Sequence, residues 1–118
     1  MKLSQVKTIL NAEVVAGEEF LDREVKSAFG CDLMSDVLAF VRDQSLLLTG
    51  LVNGQVIRTA EMMDIKAIVF VRGKKPTEEI AQLAKEYQMV VMTTNLTLYP
   101  ACGRLYSNGL VPDEEEIG

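Results

Sequence analysis

Three short stretches carry the residue types that can do chemistry in this chain, and each follows an apolar run. Thr49-Gly50-Leu51-Val52-Asn53-Gly54 offers a hydroxyl, glycines and an amide, and Arg72-Gly73-Lys74-Lys75 offers cations around a glycine. Thr93-Thr94-Asn95 adds further hydroxyls and a second amide. Such loops, when they feed helix N-termini, are the ingredients of anion recognition, because free N–H groups and aligned peptide dipoles favour negative charge there. The candidate ligand-binding residues are therefore Thr49, Gly50, Asn53, Gly54, Arg72, Gly73, Lys74, Lys75, Thr93 and Thr94. The expected ligand carries a phosphate or a carboxylate. Every α/β protein has loops of this kind, and basic ones are more often simply solvated, so that plainer reading stands beside the first.

Specific motifs are excluded by spacing. A Walker A loop needs G-x-x-x-x-G-K-[ST], with glycine backbone to wrap phosphates and a hydroxyl for magnesium. Here Gly73-Lys74 is followed by Lys75, and the position five before Gly73 is Ile68, inside an apolar run. No G-x-G-x-x-G fingerprint is present either. The chain has no His, which removes Ser-His-Asp and Cys-His arrangements and histidine metal sites. Cys31 and Cys102 are too few for a disulfide framework and have no CxxC spacing. Cys102 lies on an apolar helical stripe and reads as a buried small hydrophobe. Glu18-Glu19 and Glu78-Glu79 read as solvated faces, and Met62, Met63, Met89 and Met92 as core filler, with a flexible partner surface as the lesser reading. No Asp or Glu directly follows Thr49, Val71 or Thr94, which places phosphoryl transfer last among the functions considered.

The elements that position these loops follow from periodicity. Leu3, Val6 and Leu10 share one helical face, and AEVVAG at 12–17 reads as a short strand. A further strand is expected around 23–29. Met34, Val37, Leu38 and Val41 predict a helix over 35–43 with Ser35 as its N-cap. SLLLTG at 45–50, KAIVFV at 66–71 and MVVMTT at 89–94 are apolar without alternation, as in strands covered on both faces. Between them, Val56, Ile57, Ala60 and Met63 mark one helix, and Ile80, Leu83, Ala84 and Tyr87 another, the latter with Pro76 at its first position. Leu98, Ala101, Cys102 and Leu105 mark a last helix, stopped by Asn108-Gly109. Strand and helix alternating in this way predict an α/β fold: a single three-layer domain with a mainly parallel sheet built of βαβ units. Ligands of such sheets bind beyond the carboxyl ends of the strands, where the three loops meet.

Length and charge set outer bounds. The 118 residues fit one domain over 1–112, with an acidic tail at 113–118. The tail holds Asp113, Glu114, Glu115 and Glu116, so of the net charge of −5 only about −1 falls on residues 1–112. A nearly neutral body lacks the basic face that nucleic-acid binding requires. No apolar run approaches the ~20 residues of a membrane span. MKLSQVKTIL lacks the apolar stretch and cleavage site of a signal peptide, and the expected location is cytoplasmic.

The order of LLLTG, VIRTAEMMDIKAIVF, RGKKP, MVVMTT and ACGRLYSNGL resembles the DRTGG domain family, best over residues 35–110. The resemblance implies a fold like the N-terminal domain of HPr kinase/phosphorylase, without the phosphate loop that HPr kinase keeps in a separate domain. It also implies a regulatory module of the kind found in phosphate acetyltransferases and CBS-domain pyrophosphatases, here as a stand-alone member. The family's first loop reads like Gly-Asp-Arg; this chain keeps Gly50 but has Leu51 and Val52 in place of the pair. The second reads Thr-Gly-Gly-x-x-Pro; here it is Val71-Arg72-Gly73-Lys74-Lys75-Pro76, which leaves Arg72 and Lys74 to replace the lost charge. The resemblance implies no catalysis and no cofactor, a homodimer, and a nucleotide or other phosphate-bearing ligand. The other reading is an adaptor for a redox or hydrogenase-linked complex, binding protein rather than a small molecule.

Overall fold

The computed structural model describes residues 1–41 and 44–111. The acidic tail expected at 113–118, position 112 and the last two positions of the helix expected over 35–43 lie outside the described residues. The order of elements is α1 (Leu3–Leu10), β1 (Glu13–Ala16), a single 3-10 turn (Glu18–Phe20), β2 (Ser27–Gly30), α2 (Met34–Phe40), β3 (Ser45–Thr49), α3 (Gly54–Met62), β4 (Ala67–Phe70), α4 (Glu78–Glu86), β5 (Val90–Thr93) and α5 (Leu98–Ser107).

The strands form one five-stranded sheet in the order β1-β5-β4-β3-β2. Strands β2 to β5 run parallel in sequential order, and β1 closes the far edge antiparallel to β5. Crossovers that all step in one direction must place their helices on one face if each is right-handed. Accordingly α2, α3 and α4 cover one face, while α1 and α5 cover the other. The strand side chains divide between the two faces with a period of two. Leu46, Leu48, Val69, Val90 and Met92 meet the α1/α5 layer, and Leu47, Ile68, Phe70 and Val91 meet the α2/α3/α4 layer. Both sets are fully buried, which is why the runs carry no polar alternation. At the amino edge, Ser27 and Ser45 are register partners whose hydroxyls lie 2.8 Å apart and out of water.

Several local expectations are corrected. The strand expected around 23–29 forms only from Ser27. Helix α2 begins one residue before Ser35, with Leu33 at the cap position, because Met34 and Val37 both pack into the core and carry the first turn with them. Leu38 turns outward, 46% exposed, rather than joining that face. Pro76 lies outside α4: Thr77 is the cap, its hydroxyl accepting the Ile80 N–H at 3.4 Å. Met89 and Met92 are core residues as expected, but Met62, at the end of α3, is 75% exposed.

Among the described residues, no helix is long and apolar enough to cross a membrane.

Candidate functional site

The parallel register brings the carboxyl ends of the strands side by side: Thr49 pairs with Phe70, and Phe70 with Thr93. The three loops singled out by the sequence therefore share one edge. Their polar groups, however, are largely spent on one another.

The centre of the edge is a carboxylate that sequence reasoning missed. Asp32, two residues past the end of β2, accepts the Gly50 N–H at 2.7 Å and the Thr49 hydroxyl at 2.9 Å through one oxygen. Its other oxygen faces the Arg72 guanidinium at 3.9 Å. Arg72 also donates to the Gly50 carbonyl at 3.2 Å. The guanidinium lies so close over Gly50 that a Cβ there would displace it. Asp32 and Arg72 are each about half exposed, so the ion pair itself contributes little to stability, on the order of 1 kcal/mol or less. A signal exists: Asp32 follows by two residues the end of a strand parallel to β3, but a strand expected around 23–29 stops short of it.

The Arg72-Gly73-Lys74 backbone has no N–H to offer an anion. Arg72 N–H donates to the Leu96 carbonyl at 2.7 Å, Gly73 N–H to Thr94 at 2.8 Å, and Lys74 N–H to Val71 at 3.3 Å. These bonds hold both Arg72 (φ +64°) and Gly73 (φ +67°) in the left-handed region, where a side chain is disfavoured. In the first loop, Leu51 N–H is taken by the Thr49 hydroxyl at 3.1 Å. Asn53 caps α3, its side-chain oxygen accepting the Val56 N–H at 3.1 Å. Gly54 opens that helix beneath the Arg58 guanidinium. In the third loop, the Thr93 hydroxyl donates to the Lys74 carbonyl, and the Thr94 hydroxyl reaches away from the edge to the Leu10 carbonyl at 2.8 Å. Lys75 lies 3.8 Å from Glu13, with both side chains about 70% exposed. Lys74 is exposed.

Chemically, then, the edge presents side-chain cations, chiefly Arg72 and Lys74, over a frame of satisfied backbone. A groove of about 450 Å³ runs beside it between α3 and α4. Glu78, Glu79 and Glu86 line this groove against the single cation Arg58, a charge balance that opposes an anion. Among the described residues, no group of three or more acidic or sulfur ligands gathers as a metal site. Cys31 and Cys102 are free thiols, and burial pushes Cys102 above its ordinary range.

Residues 5–106 match the family model of the DRTGG domain. The chain belongs to the DRTGG domain family. A solved relative is the CBS and DRTGG domains of the regulatory region of Clostridium perfringens pyrophosphatase, complexed with its activator, diadenosine tetraphosphate. It superposes with a TM-score of 0.68 at 17% identity, covering 96% of this chain and 51% of that one. The present DRTGG domain thus spans about half the length of that chain, and at this identity the likeness establishes the fold. No curated protein matches the chain.

In this DRTGG domain Arg72 holds a positive φ that glycine would adopt freely. An aspartate and an arginine meet over Gly50. They stand two residues past the ends of β2 and β4.

Proposed function

We propose that this DRTGG domain is a non-catalytic regulatory module that senses a phosphate-bearing ligand, such as a nucleotide, at the carboxyl edge of its sheet. One observation carries the reading: Arg72, held in the left-handed region by its loop's backbone bonds, places its guanidinium over Gly50 at that edge, donating to the Gly50 carbonyl at 3.2 Å. Core packing does not require it, since the side chain is half exposed. The complex of the pyrophosphatase regulatory region with diadenosine tetraphosphate makes adenine nucleotides the first ligands to try. Recognition here runs chiefly through guanidinium and ammonium groups, because the Arg72, Gly73 and Lys74 N–H groups are bonded within the loops and the Gly50 N–H is held by Asp32. Thr49, Gly50, Asn53, Gly54, Gly73, Thr93 and Thr94 act as frame, and Arg72 and Lys74 as the contacting groups.

A thermal-shift screen of nucleotides and phosphorylated metabolites tests this. At 100 times Kd, a specific ligand adds about 2.7 kcal/mol, a rise on the order of 10 °C for a domain of this size. Arg72→Ala with Lys74→Ala should remove that rise while leaving the ligand-free melt within a few degrees. A screen without any shift would sink the small-molecule reading.

A second reading, protein docking, is favoured by α2, whose Leu33, Leu38 and Phe40 are 57%, 46% and 63% exposed beside the edge strand β2. The homodimer we propose, or an adaptor contact to a redox or regulatory partner, would cover this side. The proposed location is cytoplasmic.

A further inference from the structure

The donors gathered at the sheet edge already hold an anion, and it belongs to the chain itself. The Gly50 N–H, the Thr49 hydroxyl and the Arg72 guanidinium come from β3 and the end of β4, and all converge on the Asp32 carboxylate. A backbone N–H, a hydroxyl and a guanidinium around one carboxylate form the set that would otherwise receive a phosphate oxygen.

We propose that Asp32 is an internal occupant of the anion site and sets its selectivity. A phosphate-bearing ligand enters only by taking Arg72, and in part Gly50 and Thr49, from this carboxylate. This rests on the edge being the ligand site. Asp32 is suited to yield, because its side chain is 51% exposed and it stands in the short connection between β2 and α2 rather than inside either element. The consequence is a raised threshold. A singly charged or weakly held anion cannot outbid a tethered carboxylate, whereas a di- or polyphosphate, which can engage Arg72 and Lys74 together, can.

The experiment is isothermal titration of inorganic pyrophosphate into the wild type, Asp32→Asn, Arg72→Ala and the Asp32→Asn/Arg72→Ala double variant. Asparagine keeps an oxygen for the Gly50 N–H and the Thr49 hydroxyl, so D32N should fold, and its thermal melt checks that it does. D32N should bind pyrophosphate roughly fivefold to tenfold more tightly than the wild type, the scale of one like-charge repulsion near 4 Å at a solvated surface. The double variant should lose that gain. In the wild type, the Gly50 amide resonance should move on titration as its carboxylate partner leaves. If the wild type binds and D32N binds equally or less tightly, Asp32 is no competitor, and the reading of the edge survives without it. If neither protein binds, the edge is not an anion site and both proposals fall.

Discussion

At the scale of single residues, two side chains decide what this edge can do, and their types alone did not reveal it. Arg72 was visible as a cation after a strand; that it occupies a left-handed backbone position and shields Gly50 was not. Sequence distance hides Asp32 from Thr49, seventeen positions away, to which it is hydrogen-bonded. Thr94 shows the opposite case. It sat among the candidates by position, yet its hydroxyl is buried against Leu10, eighty-four residues distant in sequence. Cys102 supplies a prediction at this scale. Burial raises its pKa, so the folded thiol stays protonated where the unfolded one ionises. The unfolded state then binds fewer protons, and stability falls as pH rises through the ordinary thiol range, about 8.5, toward the folded value. Denaturation curves between neutral pH and pH 10 should show a decline that Cys102→Ala reduces; an identical decline in the variant would remove Cys102 as its source.

At the scale of elements, the helices were legible from their apolar faces, and their starts were not. Val56, Ile57 and Ala60 announce α3, and Ile80 and Ala84 announce α4, because burial of one stripe is a property of spacing. The caps depend on which side chain finds an unpaired N–H, and Thr77 does so where Pro76 was expected to begin the helix. Asn53, a candidate ligand group, caps α3, and the two roles can be separated experimentally. Asn53→Ala should cost about 1 kcal/mol of stability. Asn53→Asp should restore it, since a carboxylate both caps and favours the positive helix end. Asn53→Ala should not alter the affinity for pyrophosphate by more than about twofold after correction for the fraction folded, an expectation that follows from a cap worth only its own hydrogen bond. A tenfold loss of affinity in the alanine variant would return Asn53 to the ligand-contacting set.

At the scale of the whole molecule, a sheet covered on both faces leaves only its edges and helix backs for partners. The β2 edge, with Leu33, Leu38 and Phe40 exposed on the adjoining helix, is where the proposed homodimer would form. Sedimentation at micromolar concentration should show a dimer, and Phe40→Glu should return it to a monomer with its fold intact. A wild-type monomer under those conditions would refute the assembly. The sequence by itself determined the α/β class, the helical stripes and the strands covered on both sides, because these follow from how side chains repeat along the chain. It also carried enough of the motif order to place the chain among DRTGG domains. Only the tertiary structure decided which polar groups at the edge remain available. Hydrogen-bond partners are chosen by proximity in space, and the parallel register sets Asp32, Gly50 and Arg72 against one another from three separate strand ends.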